Sequence, residues 1–301
     1  MIKKTFAAVQ WRLNEADYFS LAGFETKLRQ IMDRIAVQRV GDLLIAFPED
    51  LITFGILTEL KAANIETSDL NSALRQYVKM KYWSLLGPRL KFGSWVGAVF
   101  YNCRNLMEEY FALFEKAAND YGCSIIAGSG IVVEGRSAYN ESRGYDQAGL
   151  GIVQRKTHLI ALEDREGLKL TSAPVKSLTH WGTEFGKVAI TICFDGFQDV
   201  VWERVKKADI VVQPSANPGP WTKEQQTDWL KGAFAMVQSV APVVINPMLT
   251  GKTLGIEFYG QSSILIRGVD NNLGYLETET LPHFAKVAKS PLEEEILIAY
   301  L

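Results

Sequence analysis

Apolar residues in this chain alternate between short unbroken runs and longer stripes at helical spacing. Thr5 to Trp11 reads as a first strand. From Leu21 to Val40, Leu21, Phe24, Leu28, Ile31, Met32 and Ile35 share one helical face. Gly41-Asp42 breaks that helix, and Leu43 to Phe47 is a second buried strand ended by Pro48-Glu49-Asp50. Strand, helix, strand in this order predicts a βαβ unit.

Residues 51–100 carry a weaker pattern. Helical segments give way to Tyr77 to Trp95, where Tyr77, Tyr82, Trp83, Phe92 and Trp95 mingle with Lys79, Lys81, Arg89 and Lys91. The plain reading is helices and a loop packed on the surface, with long basic side chains lying over a core. The functional readings are a lid over a site or an oligomer contact.

Periodicity then returns. Asn102 to Gly122 sets Leu106, Tyr110, Leu113, Phe114 and Ala117 on one face, and Gly122 stops the helix. Ser124 to Gly128, Ala148 to Lys156, Lys187 to Cys193 and Ala208 to Gln213 read as strands. A helix over Gln198 to Lys207 separates the last two. Thr222 to Gln225 fits a capping box opening a helix to about Val240. Val243 to Asn246, Gln261 to Arg267, Leu273 to Thr280 and Glu295 to Tyr300 read as late strands joined by turns. With no internal repeat, low-complexity tract or linker, the whole span 1–301 is expected to form one layered α/β domain.

Composition narrows the class. Hydrophobic residues are 48% and charged residues 22% of 301, which suits a soluble globular protein with a sizeable core. Lys+Arg of 32 against Asp+Glu of 34 gives a net charge of −2, so neither a nucleic-acid nor a membrane partner is expected. Cys103, Cys123 and Cys193 do not make a disulfide framework, which points to a reducing compartment and a cytoplasmic protein. The apolar segment after Met1-Ile2-Lys3-Lys4 is short and closed by Arg12, so no signal peptide is expected. The Asn140-Glu141-Ser142 sequon is then idle.

Several familiar chemistries drop out. Gly128-Ser129-Gly130 and Gly149-Leu150-Gly151 do not complete G-x-G-x-x-G, since Val133 and Gln154 hold the third glycine positions. There is no Walker loop and no H-E-x-x-H, and His158, His180 and His283 read as structural. No metal or cofactor is expected.

What remains lies at strand ends. The run Val188-Ala189-Ile190-Thr191-Ile192 leads into Cys193, with Asp195 and Gly196 close behind. Ligands in open α/β sheets sit beyond the carboxyl ends of the strands. A thiol there can react, whereas a thiol inside a strand is inert packing, and this strand alone leaves both readings open. Glu49 follows one buried strand directly and Lys156 closes another. A carboxylate can take a thiol proton. A nearby ammonium favours thiolate and can hold a developing oxyanion. The three together favour the reactive thiol.

These segments resemble the nitrilase superfamily of carbon–nitrogen hydrolases, whose catalytic set is Glu-Lys-Cys. Asp42 to Glu49 is similar to the family's strand with a terminal Pro-Glu, and Gln154 to Leu159 to its lysine motif. Phe185-Gly186-Lys187, the strand to Cys193 and Ala208 to Ala216 resemble its nucleophile region. Gly128 to Gly130, Tyr139-Asn140 and Tyr259 to Ser263 are further matches, while residues 51–100 are longer than usual. The resemblance implies an αββα sandwich and a homo-oligomer. It implies Cys193 as nucleophile, Glu49 as general base, and Lys156 with the Phe194 N–H as the oxyanion site. Glu163 is the best match for a second glutamate, and Glu166 is its rival. Tyr139, Asn217, Trp221 and Asn246 are candidate substrate contacts. The implied reaction is hydrolysis of a small amide through a thioester. The alternatives are a nitrile substrate or a non-enzymatic binding protein on the same fold. After Cys193 the chain departs from the family. Gly196 to Asp199 lacks the usual arginine and glutamate, which leaves the subfamily and the substrate open.

Overall fold

The structure, a computed structural model, describes residues 3–66, 69–164 and 167–301. Strand β1 (Lys4–Leu13), helix α1 (Leu21–Ala36) and strand β2 (Asp42–Ala46) form the expected βαβ unit, with β1 and β2 parallel. Ser20 caps α1 by accepting from the Gly23 N–H. Residues 51–100 fold into α2 (Ile56–Ala62), α3 (Leu70–Met80), α4 (Tyr82–Phe92) and most of α5 (Trp95–Asn102). The amphipathic stripe becomes α6 (Arg104–Tyr121), closed by left-handed Gly122. Strands β3 (Ser124–Glu134), β4 (Ser137–Asp146) and β5 (Gly149–Arg155) follow as an antiparallel meander.

The rest of the chain builds β6 (Trp181–Thr183), β7 (Gly186–Ile190), α7 (Asp199–Val205), β8 (Ile210–Val212) and β9 (Ser215–Ala216). Next come α8 (Lys223–Trp229), a π-helical turn over Leu230–Phe234 and α9 (Ala235–Ser239). Strands β10 (Val243–Asn246), β11 (Met248–Thr253), β12 (Ile256–Phe258), β13 (Ser263–Ile266), β14 (Phe284–Val287) and β15 (Glu295–Tyr300) complete it. One sheet runs β12-β11-β1-β2-β3-β4-β5, with β15 also on β1 and β9 on β11; the other runs β14-β13-β10-β8-β7-β6.

The period-2 geometry of strands assigns each side chain a layer. Phe6, Ala8, Leu44 and Ala46 join one apolar cluster with Val188, Ile190 and Val211 of the second sheet. Their neighbours Ala7, Val9, Trp11, Leu43 and Ile45 join the other cluster, with α1 and α6. Two sheets face each other and helices cover the outside, which is the expected αββα sandwich. Phe47 continues β2 into the helix layer, edge-on to Phe114 at 5.0 Å. The chain just before Glu49 is thereby pinned to α6.

Three expectations need correction. Leu273 to Thr280 is not a strand; only Leu273 bridges, to Leu281. Tyr275 is buried but Leu276 beside it is 57% exposed. The Leu276 and Glu277 N–H groups donate to the side chains of Gln261 and Gln226 instead of a ladder. The strand expected to reach Cys193 stops at Ile190, and Cys193 opens a 3-10 turn, Cys193–Phe197. The helix expected to run unbroken to Val240 is interrupted at Gly232 (φ −96°, ψ −112°), which packs against Phe197 and Gln213. Among the described residues no helix is long and apolar enough to cross a membrane.

Candidate active site

The carboxyl ends of β2, β5, β7, β8 and β9 meet at one place, and the turn after each carries a functional group. After β2 the chain turns sharply, with Asp50 at φ +59°. Its neighbour strand makes room: Gly128 sits at φ +77°, and a β-carbon there would run into the Pro48 carbonyl oxygen. Ser129 then accepts the Asp50 N–H at 3.0 Å through its hydroxyl and the Ile52 N–H at 3.0 Å through its carbonyl. Gly128-Ser129-Gly130, which invites a nucleotide reading, is the mould for the Glu49 turn.

Lys156 follows β5. Its N–H donates to the Asn140 carbonyl at 2.8 Å, and its carbonyl accepts from the Ala173 N–H at 2.9 Å. The ammonium is 1% exposed and bonds Glu49 Oε1 at 2.7 Å and Glu163 Oε2 at 2.6 Å. Asn140 lies between the same carboxylates, its Nδ2 donating to Glu49 at 3.0 Å and Glu163 at 2.8 Å. The Ala216 N–H reaches Glu49 Oε2 at 3.1 Å, and the Ile160 N–H reaches Glu163 Oε2 at 3.1 Å. A buried ion pair survives only when its remaining polar atoms are satisfied, and backbone and Asn140 do that here.

Cys193 stands at φ +47°, a conformation that costs a non-glycine residue roughly 1–3 kcal/mol. Two bonds hold the elbow. Its N–H donates to the Pro214 carbonyl at 2.8 Å, and its carbonyl accepts from Gln213 Nε2 at 2.9 Å. A β-carbon on Gly196 would collide with the Gln213 amide. That contact gives a local reason for glycine three residues after the cysteine. The thiol donates to the Ala216 carbonyl at 3.8 Å. Asp195, fully buried, ties this turn to the lysine turn. It accepts from the N–H groups of Thr157 and His158, from the Thr157 hydroxyl, and contacts His158 Nδ1 at 3.3 Å.

Burial sets the protonation states. It pushes Glu49 up to about 8, against the lowering pull of Lys156. It pushes Asp50 up to about 6. Burial alone would lower Lys156, but Glu49, Cys193 and Glu163 outweigh it and hold the ammonium charged well above the usual range. Burial and then Glu49 push the Cys193 thiol well up, with Lys156 opposing. Burial also pushes Cys103 and Cys123 up to about 12. A raised pKa therefore does not single out Cys193; its neighbours do, a lysine and two carboxylates.

Glu49, Lys156, Cys193 and Glu163 are thus brought together. Phe194 follows the thiol at the start of the 3-10 turn, where the first N–H groups lack partners within the helix. Glu166 lies outside the described residues. The candidate substrate contacts divide. Asn217 lines the opening beside Cys193, but its amide is spent on the Gly219 and Tyr259 carbonyls. Asn246 is one shell back, bonding the Gln213 carbonyl, Ser215 and Trp229. Trp221 packs against Trp229 and Tyr275 and donates to Gln261. Tyr139 neighbours Asn140 on the opposite face of β4, its ring 4.2 Å from the Arg155 guanidinium. Trp83 is 84% exposed, and Trp95 packs against Tyr82 and Arg89, so neither meets the thiol. Sequence reasoning missed Asn140, Asp195 and Gln213 as site residues. Asn140 was visible as a sequon and within a family match but without a role, and its burial closes it to modification.

A model of the carbon-nitrogen hydrolase family matches residues 7–265. No curated protein sequence matches the chain. Among solved structures, a carbon-nitrogen hydrolase from Helicobacter pylori G27 superposes with TM-score 0.65 at 16% identity, covering 99% of this chain and 89% of that one. Nit3 of Saccharomyces cerevisiae, a member of branch 10 of the nitrilase superfamily, gives 0.62 at 17% identity, over 99% and 90%. A mutant of the Nesterenkonia AN1 amidase, also of the nitrilase superfamily, gives 0.62 at 14% identity, over 98% and 90%. At these identities the structural likeness speaks for the fold. The family match spans most of the sequence and includes all three strand ends: the chain belongs to the carbon-nitrogen hydrolase family.

Proposed function

We propose that the protein hydrolyses a carboxylic amide through a thioester on Cys193. The observation that carries this reading is the buried set Lys156–Glu49–Glu163, hydrogen-bonded throughout and electrostatically coupled to the Cys193 thiol.

In the resting site the thiol keeps its proton. As Sγ attacks the amide carbon, the proton passes to Glu49, whose raised pKa suits a base working near neutrality. The carbonyl oxygen takes up negative charge against the Lys156 ammonium and the Phe194 N–H. Collapse of the tetrahedral adduct breaks the C–N bond. Glu49 returns its proton to the nitrogen, and ammonia or an amine leaves. Water then gives a proton to the same carboxylate and attacks the thioester. The C–S bond breaks, the acid departs and Sγ regains its proton. Glu163 and Asn140 hold Lys156 and Glu49 in register throughout. The same floor suits a nitrile, but no feature of the site favours it over an amide.

Intact-mass analysis after mixing with a panel of primary amides tests this. The wild type should gain one acyl group on Cys193 and release ammonia. Cys193→Ala should do neither, and Glu49→Gln should slow acylation at least a thousandfold. Iodoacetamide should modify Cys193 faster than Cys103 and Cys123. Equal labelling of the three thiols, with no acyl adduct from any amide, would overturn the reading.

A further inference from the structure

Against the Glu49–Lys156 floor, next to the Cys193 opening, lies a cavity of about 70 Å³. Its walls come from parts of the chain that share no motif. Leu74 of α3 and Phe100 of α5 belong to the helical stretch, Leu170 to the loop after Lys156, and Ile256 and Phe258 to the β11–β12 hairpin. Glu49, Lys156 and Glu163 form its one polar end together with Asp50 and Thr53. Those side chains already bond one another: Lys156 spans the two glutamates, and the Thr53 hydroxyl donates to Asp50 at 2.9 Å. The opening beside Cys193 is larger, about 450 Å³, and is rimmed by Gln198, Gln225, Asp228 and Lys231. Ile160, Ala216 and Pro218 border both spaces and form the neck between them.

We propose that this cavity is the acyl pocket, and that the substrate is a straight-chain aliphatic amide with its tail in that pocket and its nitrogen toward the polar opening. This rests on the hydrolase reading above, whose substrate it specifies. The inference follows from what the walls can solvate. A charged or hydrogen-bonding acyl group would lose water against apolar walls that offer it no hydrogen bond, which disfavours amides of the asparagine or glutamine type. A methylene chain loses nothing. An apolar cavity of roughly 150 Å³ holds the six carbons of benzene, so this one, about half as large, fits a chain of about three carbons and not a ring. Each methylene that reaches the walls should raise affinity about fourfold.

The test compares acetamide, butyramide, pentanamide, octanamide, benzamide and succinamate. The specificity constant should climb several-fold per carbon from acetamide to butyramide, then fall at octanamide and benzamide, with succinamate lowest. Leu74→Trp should cut the butyramide-to-acetamide ratio at least tenfold. Leu74→Ala, the safer change on a half-buried helix position, should move the best chain length one or two carbons longer. A flat series, or succinamate or benzamide as the best substrate, would overturn the pocket while leaving the hydrolase reading intact. A second readout needs no turnover. Cys193→Ala should bind straight-chain carboxylates by calorimetry with the same rise to about four carbons, and Leu74→Ala added to it should shift that maximum. If that binding series holds and no amide acylates Cys193, the pocket stands and the hydrolase reading fails. If the binding series is flat, the pocket falls regardless of turnover.

Discussion

Glu49, Lys156 and Cys193 stand at strand ends, each locked by backbone hydrogen bonds, a buried partner or a left-handed φ. Leu74, Phe100 and Ile256 stand on helices and a hairpin, and their side chains meet the site through apolar contact alone. The floor of the site is polar, strained and densely hydrogen-bonded through its side chains; the side chains of the wall are apolar and make none. Polar bonding fixes atoms to tenths of an ångström and tolerates little change, because each lost partner strands a buried group. Apolar packing accepts volume-conserving exchange at small cost. A family can therefore keep one chemistry on the floor while its wall drifts to fit another acyl group.

The sharpest way to break that contrast is to remove the cation from the floor. Lys156→Met leaves Glu49 and Glu163 facing each other without it. Activity should fall more than a thousandfold, and unfolding free energy by about 3–5 kcal/mol above pH 8. The loss should shrink toward pH 5. Glu49 has its folded pKa raised, to about 8, so the native state binds its proton more tightly than the unfolded chain does. Its contribution to stability is therefore most favourable below the unfolded value and declines as pH rises toward 8. Without Lys156 the folded pKa rises further and the decline extends to higher pH. Urea unfolding of both proteins from pH 5 to 9 reads this out, and parallel curves would show that the floor is not held by its charges.

A smaller blow to the floor is Gly128→Ala. A β-carbon at Gly128 pushes on Pro48 in a backbone conformation that alanine disfavours, so the Glu49 turn must move. A shift of about an ångström costs roughly a hundredfold in rate, with about 1–3 kcal/mol of stability lost to strain. The drop should lie in kcat, since the acyl wall is untouched. A drop confined to KM would mean that the turn serves binding instead.

The contrast also explains what could be read before any coordinates. The apolar runs at Leu43 to Phe47, Lys187 to Cys193 and Ala208 to Gln213 gave their strands away, because a strand buried on both faces needs nothing else. The polar strand β4 hid. Asn140, Glu141 and Ser142 are buried there in place of apolar residues, and Glu141 pairs with Arg143 and Arg155. Leu273 to Thr280 misled in the opposite sense, through one buried tyrosine among exposed neighbours. Glu49, Lys156 and Cys193 were legible by their places at strand ends. Asn140, Asp195 and Gln213 were not, because their work is to hold other residues, and no spacing marks that. The wall was illegible for a simpler reason: α3 and the β11–β12 hairpin are about 180 residues apart in sequence, and only the fold brings them together.

The floor should also set the pH response. Glu49 must be a carboxylate to accept the thiol proton, and burial holds its pKa at about 8. The specificity constant should therefore rise about tenfold per pH unit toward 8 and level off above it. A midpoint near 5 for any good substrate would show that Lys156 outweighs burial at Glu49 and would lower the barrier assigned to the thiol's proton transfer.

The smallest effect is expected beyond the wall. Helix α4 buries only Leu85, and Trp83 projects from it 84% exposed, in edge contact with Tyr82. Neither ring lines the acyl cavity, whose helical residues from this region come from α2, α3 and α5 and not from α4. Trp83→Ser should thus leave stability within about 0.5 kcal/mol and the specificity constants of acetamide and butyramide within twofold, their ratio included. The ratio is the discriminating number. If Trp83→Ser lowers it as Leu74→Trp does, then α4 closes over the pocket when substrate is bound. The wall would then extend one helix further out than its apolar lining defines it.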